Sequence, residues 1–402
     1  MIESFGKALP RRWDSSDSNA AFLSGGVDSA LMVAGLRELL GSEVDTFAIG
    51  YEAYQGRNDE RAIARANAQT LGTHHHEIAF GPQDIIDSHD SMVIAHGSPF
   101  HWGLRAFFLR PIADAGFQTI LGGDSPECCY PNRLDLKSIT LERIPRPIRN
   151  AAVPALLTVL RVCNLDLAQK ASALKWCADA GLPGRCAGRM IPYDIRRTLY
   201  EDPSFAQQAR RSALDVMQTH KSEYSDWSSI DQMVFQNLRY AVADHTLTFN
   251  HWWTTWHGIR YRAPFCDYDL MDVMLSLPRI TSDKVHLRHF AKSLLPESLV
   301  NEPKRKTGAP MNVWMSGPLR GFASDLLSLS EIGRLDTLRA DGVRALLAQH
   351  LNGQANHGMA LWAVLTLVVW ARLVGELRKE TVPQPTARAA KRLSTALSPS
   401  TE

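Results

Sequence analysis

A glycine-rich segment at 24–29, Ser-Gly-Gly-Val-Asp-Ser, most constrains the fold, because it joins a short apolar run to a helical pattern. The run before it, 21–23, fits a buried strand, and apolar residues recur at helical spacing after it. The same criteria predict further strands at 44–49, 76–80 and 118–121 and a helix at 59–71. This alternation is typical of βαβ units, so we expect an α/β fold with a parallel, doubly wound sheet.

The pattern changes near residue 143, where long helical stretches dominate and convincing strands end. We therefore expect an α/β core over 1–142, a mainly helical part over 143–377 packed on the same core, and a disordered tail over 378–402. The longest apolar stretch, 359–371, is shorter than the ~20 residues that span a bilayer. We predict a buried helix there and no membrane association.

Composition argues against several classes of protein. The 402 residues carry 44 Lys and Arg against 42 Asp and Glu, and a net charge of +2 does not favour a dedicated nucleic-acid binder. None of the six cysteines forms a Cys-x-x-Cys pair, so neither a zinc ribbon nor a redox dithiol is expected. The N-terminal segment lacks the apolar run of a signal peptide. We expect free thiols and a cytoplasmic location.

The chemistry of the glycine-rich segment indicates a polyphosphate site. Gly25 and Gly26 let the backbone approach an anion closely, and the first N–H groups of the following helix would point at it. Ser24 and Ser29 can add hydroxyl donors. Phosphate would repel Asp28 unless this carboxylate holds a Mg²⁺ ion that in turn holds the phosphates. The alternative is a glycine-rich turn with an Asp or Ser helix cap.

The pattern Ser-Gly-Gly-x-Asp-Ser resembles the pyrophosphate loop (PP-loop) of the N-type ATP pyrophosphatases. About residues 10–375 are similar, in order, to the synthetase domain of the asparagine-synthetase-like branch, which includes β-lactam synthetase. The segments that carry this resemblance are 46–50, 58–60, 71–77, 98–100, 120–127, 262–267, 284–296 and 306–310, with Trp362 and Trp370. The resemblance implies a PP-loop α/β fold with a large helical C-terminal part.

The resemblance also implies roles for individual residues. The residues that it places at ATP are Leu23, Ser24, Gly25, Gly26, Asp28, Ser29, Phe47, Ile49, Gly122, Gly123, Lys284 and Arg288. Glu127 matches the family's metal-binding Asp, so the resemblance implies that Asp28 and Glu127 hold Mg²⁺ at the carboxyl edge of the sheet, where ligands of open α/β sheets bind. For Phe47 the alternative is a core strand residue, and for Glu127 it is a solvated loop acid.

Lys306 matches the lysine that the family directs at the α-phosphate. Attack of a carboxylate on the α-phosphorus builds negative charge there, and a fixed cation stabilises that charge. Lys306 belongs to a basic run at 304–306, for which the alternative is a solvated surface segment, and the following Gly308 favours the functional interpretation.

Departures from the family pattern bear on the nitrogen chemistry. Glutaminase members carry a Cys directly after Met1, whereas Ile2 stands here, so we expect an amine in the substrate, free ammonia or a separate ammonia-supplying subunit. Arg260 replaces a Glu that partners a Tyr as the base in β-lactam-forming relatives, and Asp124 stands at that Tyr position. We therefore predict Asp124 as the general base, paired with Arg260.

A tryptophan-rich segment at 251–258 indicates a substrate pocket unlike that of the aspartate-using relatives. We place Trp256, Arg260 and Arg262 in this pocket; the alternative is a buried aromatic helix face. The histidines of the segment have no companions at metal-ligand spacing, so no zinc is predicted.

These inferences predict an ATP- and Mg²⁺-dependent ligase that adenylates a carboxylate, releases pyrophosphate and transfers the acyl group to an amine or ammonia in specialised biosynthesis. Two alternatives remain open. One is a tRNA- or nucleotide-modifying PP-loop pyrophosphatase, for which the adjacent Cys128 and Cys129 are the relevant feature. The other is a catalytically dead binding protein, which the replaced Glu would explain.

Overall fold

The computed structural model describes residues 1–52, 59–100, 107–131, 133–145, 221–278, 284–303 and 308–381, with scattered residues between 147 and 219. One parallel sheet contains β1 Asn19–Phe22, β2 Asp45–Tyr51, β3 His74–Phe80, β4 Thr119–Leu121 and β5 Arg260–Arg262. The strand order is β3-β2-β1-β4-β5, which confirms the parallel α/β prediction. The chain adds strands on one side of β1 and then crosses to β4 on the other side, so the topological switch point lies between β1 and β4. Open α/β sheets leave a crevice there, at the carboxyl edge.

Helices cover both faces of this sheet and form most of the second half of the described chain. They are α1 Ile2–Ala8, α2 Val27–Leu40, α3 Arg61–Leu71, α4 Pro82–His96, α5 Leu109–Asp114, α6 Arg133–Glu142, α7 Ser229–Gln236, α8 Thr248–Trp256, α9 Tyr268–Ser276, α10 Val285–Ala291, α11 Glu297–Val300, α12 Met311–Ser316, α13 Arg320–Leu326, α14 Leu329–Ile332, α15 Ala340–Leu351 and α16 Gly358–Thr381. A π-helical segment, Asn237–Leu247, joins α7 to α8 without a break, so 229–256 forms one continuous rod.

The sheet separates two apolar cores, because successive strand residues face opposite sides. Ala20 and Ile120 pack on one face with residues of α4, α12, α15 and α16. Ala21 and Leu121 pack on the other face with residues of α1, α2, α9 and α10. The helix that carries Asp28 and the helix that follows Lys284 therefore share one face of the sheet.

The fifth strand comes from the helical part, so the expectation that strands end near residue 143 is wrong. The sequence Arg260-Tyr261-Arg262 has no apolar run, and its pairing with β4, from Thr119↔Arg260 to Leu121↔Arg262, makes it a strand. The residues after it are anchored to the N-terminal segment. Phe265 is fully buried and stacks on Phe5 of α1 at 5.4 Å between ring centroids, and Arg11 Nη1 lies 3.0 Å from Oδ1 of the buried Asp267.

The apolar helix α16 is a core helix, as the sequence predicts. Its stretch Gly358–Glu376 is long and apolar enough to cross a membrane by length and composition alone. Leu361, Trp362, Leu365 and Val369 are nevertheless fully buried, in the same core as residues of α4, α12 and α15.

Among the described residues, Cys128, Cys129 and Cys266 form no disulfide bond. Cys163, Cys177 and Cys186 lie outside the described residues, as does most of the predicted tail from 382 onward.

Candidate active site

The loop after β1 is held by its own two serine hydroxyls. The Oγ atoms of Ser24 and Ser29 lie 2.9 Å apart, and Ser24 N donates to Ser29 Oγ at 3.1 Å. Gly26 N donates to Ser24 Oγ at 3.1 Å. The helix α2 begins at Val27, and no side chain caps it at Gly26. Because the first N–H groups of a helix have no partner within it, this geometry presents donors to an anion at the crevice.

Two glycines after β4 permit close approaches at the same edge. A Cβ on Gly123 would lie 2.9 Å from the backbone nitrogen of Ser29, so this loop packs directly on the start of α2. A Cβ on Gly122 would overlap the hydroxyl of Tyr261 on β5. Packing therefore accounts for both glycines, and their predicted contact with the nucleotide stays a prediction.

The two predicted metal ligands meet at one ammonium group. Lys284 Nζ donates to Asp28 Oδ2, and it lies 3.7 Å from Glu127 Oε2. Asp28 is the second residue of α2, and Glu127 lies on a short 3₁₀ turn, Pro126–Cys129, after β4. Within the described residues the other Asp28 oxygen, Oδ1, is buried and has no hydrogen-bond partner.

The charges of Lys284, Asp28 and Asp124 all affect the pKa of the Glu127 carboxyl group. Burial of the carboxyl group raises this pKa above its ordinary value, the Lys284 ammonium lowers it, and the charges of Asp28 and Asp124 raise it. The Glu127 side chain keeps 42% of its surface exposed, so solvent still screens the carboxyl group. Three carboxylates thus act on one another across the ends of β1 and β4.

These residues fit a hard divalent cation. Mg²⁺ prefers carboxylate oxygens, uses one or two of them and completes its shell with water and substrate phosphates. Asp28 and Glu127 supply that donor set, and Asp28 Oδ1, unpartnered within the described part of the chain, is a ready ligand atom. In the part of the chain that the structure describes, no group of three or more His, Cys, Asp and Glu could hold a metal.

Asp124 lies beside this group and is held by two uncharged side chains. Tyr261 on β5 donates its hydroxyl to Asp124 Oδ2, and Asn250 Nδ2 on α8 donates to the same oxygen at 2.9 Å. Since both bonds end on Oδ2, they fix the plane of the carboxylate. The arrangement orients a proton acceptor at the carboxyl edge.

The prediction that Asp124 pairs with Arg260 is wrong. Arg260 Nη2 pairs with Asp17 Oδ2, and its Nε donates to Thr119 Oγ1 at 3.2 Å. Arg260 is in register with the first residue of β4, whereas Asp124 follows the last. The guanidinium therefore lies at the amino edge of the sheet, away from Asp124.

The other two residues predicted for the substrate pocket are also placed away from Asp124. Trp256 ends α8, six residues and therefore roughly 9 Å along the helix from Asn250, and it is 52% exposed. Arg262 alternates with Tyr261 along β5, so its side chain lies on the opposite face of the strand, where it acts electrostatically on Asp14. Only the pairing of Arg260 with Asp124 is contradicted; the place of Trp256, Arg260 and Arg262 in a substrate pocket stays a prediction.

Two of the residues predicted at ATP are core side chains. Phe47 is 4% exposed and stacks on His76 at 4.7 Å between ring centroids, which supports the core alternative. Leu23 is buried, and its backbone nitrogen donates to Phe47 O at 2.9 Å. Ile49 is partly buried on the same strand face as Phe47, two residues nearer the carboxyl edge, and its contact with adenine stays a prediction.

Arg288 and Lys306 are the remaining cationic residues predicted at the phosphates, and the structure describes Arg288. Arg288 Nη1 donates to the carbonyl of Val300, and this hydrogen bond links α10 to α11. The contact predicted between Arg288 and the triphosphate stays a prediction. Lys306 lies outside the described residues, as do the rest of the run 304–307 and Asn58.

Sequence reasoning missed Tyr261 and Asn250. Strand alternation carries a signal for Tyr261, because a strand at 260–262 directs its middle residue to the face opposite both arginines. For Asn250 we find no local signal, since its position depends on how the rod 229–256 packs beside β5.

Comparison with known proteins finds a matching family model and several similar proteins. The family model for asparagine synthase matches residues 2–372. The chain is 23% identical over 367 residues to asparagine synthetase (glutamine-hydrolyzing) 1 of Bacillus subtilis, covering 87% of this chain and 55% of that protein. It is 34% identical over 141 residues, 32% of this chain and 24% of the relative, to asparagine synthetase (glutamine-hydrolyzing) 2 of Arabidopsis thaliana. The chain spans about half the length of the Bacillus relative.

Proposed function

The chain belongs to the asparagine synthase family, and from this premise we propose that it activates a substrate carboxylate with ATP and joins it to an amine or ammonia. The family and the asparagine synthetase relatives support ATP-dependent ligation in general. The single observation that carries the finer proposal is the meeting of Asp28, Glu127 and Lys284 beside the anion-binding loop at the switch point.

In the first step a carboxylate oxygen attacks the α-phosphorus of ATP. The bond between that phosphorus and the α,β-bridging oxygen breaks, and pyrophosphate leaves with the electron pair, so an acyl-adenylate remains. The loop after β1 and the first turn of α2 hold the leaving phosphates through N–H groups. Mg²⁺ held by Asp28 and Glu127 would neutralise phosphate charge. Lys306 is our candidate for stabilising the charge that builds at the α-phosphate.

In the second step an amine attacks the acyl carbon. The carbon–oxygen bond to AMP breaks, and the nitrogen loses a proton. Asp124 is our candidate acceptor, since Tyr261 and Asn250 fix its orientation beside the metal ligands. Tyr261 and Asn250 are positioning residues in this scheme. The nitrogen source, the acyl substrate, a role in specialised biosynthesis and a cytoplasmic location belong to the proposal as well.

ATP–pyrophosphate exchange with a panel of carboxylates tests the first step. We expect exchange that depends on Mg²⁺ and on one class of carboxylate, and that is lost in Asp28→Asn and in Lys306→Ala. Asp114→Asn and Lys292→Ala are the matched controls, because both side chains are exposed, at 71% and 53%, and pair with Arg110 and Glu297 instead of with the loop. Both controls should exchange like the unmodified protein.

Other outcomes would select an alternative. Failure to bind Mg·ATP would sink the enzyme proposal and favour the catalytically dead binding protein. Binding of Mg·ATP without exchange, together with a salt-dependent gel shift of tRNA, would favour the nucleic-acid-modifying alternative.

A further inference from the structure

The Lys284 ammonium occupies the place between the two carboxylates that a metal ion would have to share. It donates to Asp28 Oδ2 and lies 3.7 Å from Glu127 Oε2. The Lys284 side chain is only 14% exposed, and that of Asp28 is 20% exposed. A cation that bridges Asp28 and Glu127 would therefore meet an ammonium group already seated there, and like charges at such a distance repel strongly.

The backbone at this position is unusual as well. Lys284 adopts φ 53°, the left-handed region, directly before α10. Among the described residues the other non-glycine residue with positive φ is Ser125, at φ 97°, between Asp124 and the turn that carries Glu127. Such conformations are strained and persist where the surroundings enforce them, commonly at functional sites. Both strained positions thus border the same three carboxylates.

We propose that Lys284 is an internal stand-in for the divalent cation, and that Mg·ATP displaces it from Asp28 and Glu127 to the triphosphate. The inference rests on the proposed Mg·ATP site, and it adds that the Lys284 ammonium leaves the two carboxylates for the triphosphate when Mg·ATP binds. Without nucleotide, the ammonium offsets part of the negative charge of the two carboxylates and keeps the affinity for free Mg²⁺ low. With nucleotide, the incoming phosphates offer the ammonium a new partner, so metal and ATP enter together.

The choice of lysine suits this exchange. An ammonium group on a flexible four-carbon stem can rotate from one oxygen to another, whereas a guanidinium would hold a carboxylate with two parallel bonds. Asp28 Oδ1, which has no hydrogen-bond partner among the described residues, gives the metal a first point of contact while the ammonium is still bound to Oδ2. Metal entry therefore need not wait for a fully vacated site.

Binding of Mn²⁺ to the nucleotide-free protein, followed by the electron paramagnetic resonance signal of free Mn²⁺, tests the proposal without any turnover. Lys284→Met removes the charge and keeps the stem, and we expect it to bind Mn²⁺ at least about tenfold more tightly than the unmodified protein. Lys284→Arg should show no such gain. Lys284→Asn is a second charge-free variant, since asparagine tolerates a positive φ, and its affinity should rise like that of Lys284→Met.

A double variant tests whether the tighter Mn²⁺ binding of Lys284→Met depends on Asp28. In Lys284→Met/Asp28→Asn the tighter binding should disappear. If Lys284→Met and Lys284→Asn bind Mn²⁺ no better than the unmodified protein, or if the gain survives Asp28→Asn, the stand-in role is wrong. Tighter Mn²⁺ binding in a protein that shows no pyrophosphate exchange would overturn the proposed ligase activity and leave the stand-in role supported.

Discussion

The two edges of the sheet carry the same kinds of side chain but differ in charge balance. At the amino edge, Arg260 pairs with Asp17, and Thr119 Oγ1 donates to Asp17 Oδ2 at 3.0 Å while accepting from Arg260 Nε at 3.2 Å. Arg260, Asp17 and Thr119 therefore bind one another through hydrogen bonds, and the arginine charge is matched by the aspartate charge. At the carboxyl edge, Asp28 and Glu127 share the single ammonium of Lys284, and one buried Asp28 oxygen has no partner among the described residues.

The difference shows how a structural charge cluster can be told from one that awaits a ligand. A cluster that satisfies its own donors and acceptors holds elements together, and its loss should cost stability. A cluster with surplus negative charge is maintained at a cost, so its loss should affect binding and chemistry. The predictions below use this contrast, from the largest expected effect to the smallest.

Asp28→Asn should lower pyrophosphate exchange about a thousandfold or more, since the variant loses one metal ligand. It should change the free energy of unfolding little, because Glu127 remains beside Lys284 and the variant removes one of the carboxylates that repel one another there. Isotope exchange and urea unfolding measure the two effects. A large loss of stability together with activity would show that the carboxyl edge is structural as well.

Asp124→Asn should lower amide formation about 10²- to 10⁴-fold while pyrophosphate exchange stays within about threefold, because proton removal belongs to the second step. Tyr261→Phe should act in the same direction with a smaller effect, since it removes one bond that orients the carboxylate. Tyr268→Phe is the matched control, as Tyr268 is 84% exposed. If Asp124→Asn lowers exchange as strongly as amide formation, Asp124 acts before or during adenylation.

Gly122→Ala should destabilise the fold by about 1–3 kcal/mol, because the new methyl group overlaps the Tyr261 hydroxyl. The double variant Gly122→Ala/Tyr261→Phe should recover part of this loss, since the hydroxyl is gone while the ring remains close. Chemical denaturation of the four members of this cycle measures the coupling. Strict additivity would show that the two residues do not interact.

Arg260→Met should cost about 0–1 kcal/mol of stability, because the guanidinium side is 52% exposed and solvent screens the pair. Pyrophosphate exchange should be unchanged. Arg110→Met, at an exposed helical pair, is the control. An effect of Arg260→Met on exchange or on substrate affinity would support a place for Arg260 in the substrate pocket. It would also contradict the assignment of a purely structural role to the amino edge of the sheet.

Local patterns predicted the parallel sheet and the loop after β1, because each βα unit carries its own strand, turn and helix signals. They also brought Asp28 and Glu127 to one edge, since strand ends in a parallel sheet share a direction. They did not predict β5, whose Arg-Tyr-Arg sequence becomes a strand only through pairing with β4. Without that register, the sequence suggested that Arg260 pairs with Asp124, and it did not indicate that Tyr261 contacts Asp124.

The assembly of the carboxyl edge has a consequence for how the chain folds. Asp28 and Lys284 are separated by 256 residues along the chain, and Asp124 and Tyr261 by 137. Closing loops of that length is entropically costly, so contacts of this kind form late on the folding pathway. The loop after β1 belongs to a local unit and can form early, whereas the cation and the tyrosine arrive only when β5 and α10 dock. Refolding experiments should therefore find that metal-dependent nucleotide binding returns in the slowest phase, after most of the helical signal has recovered.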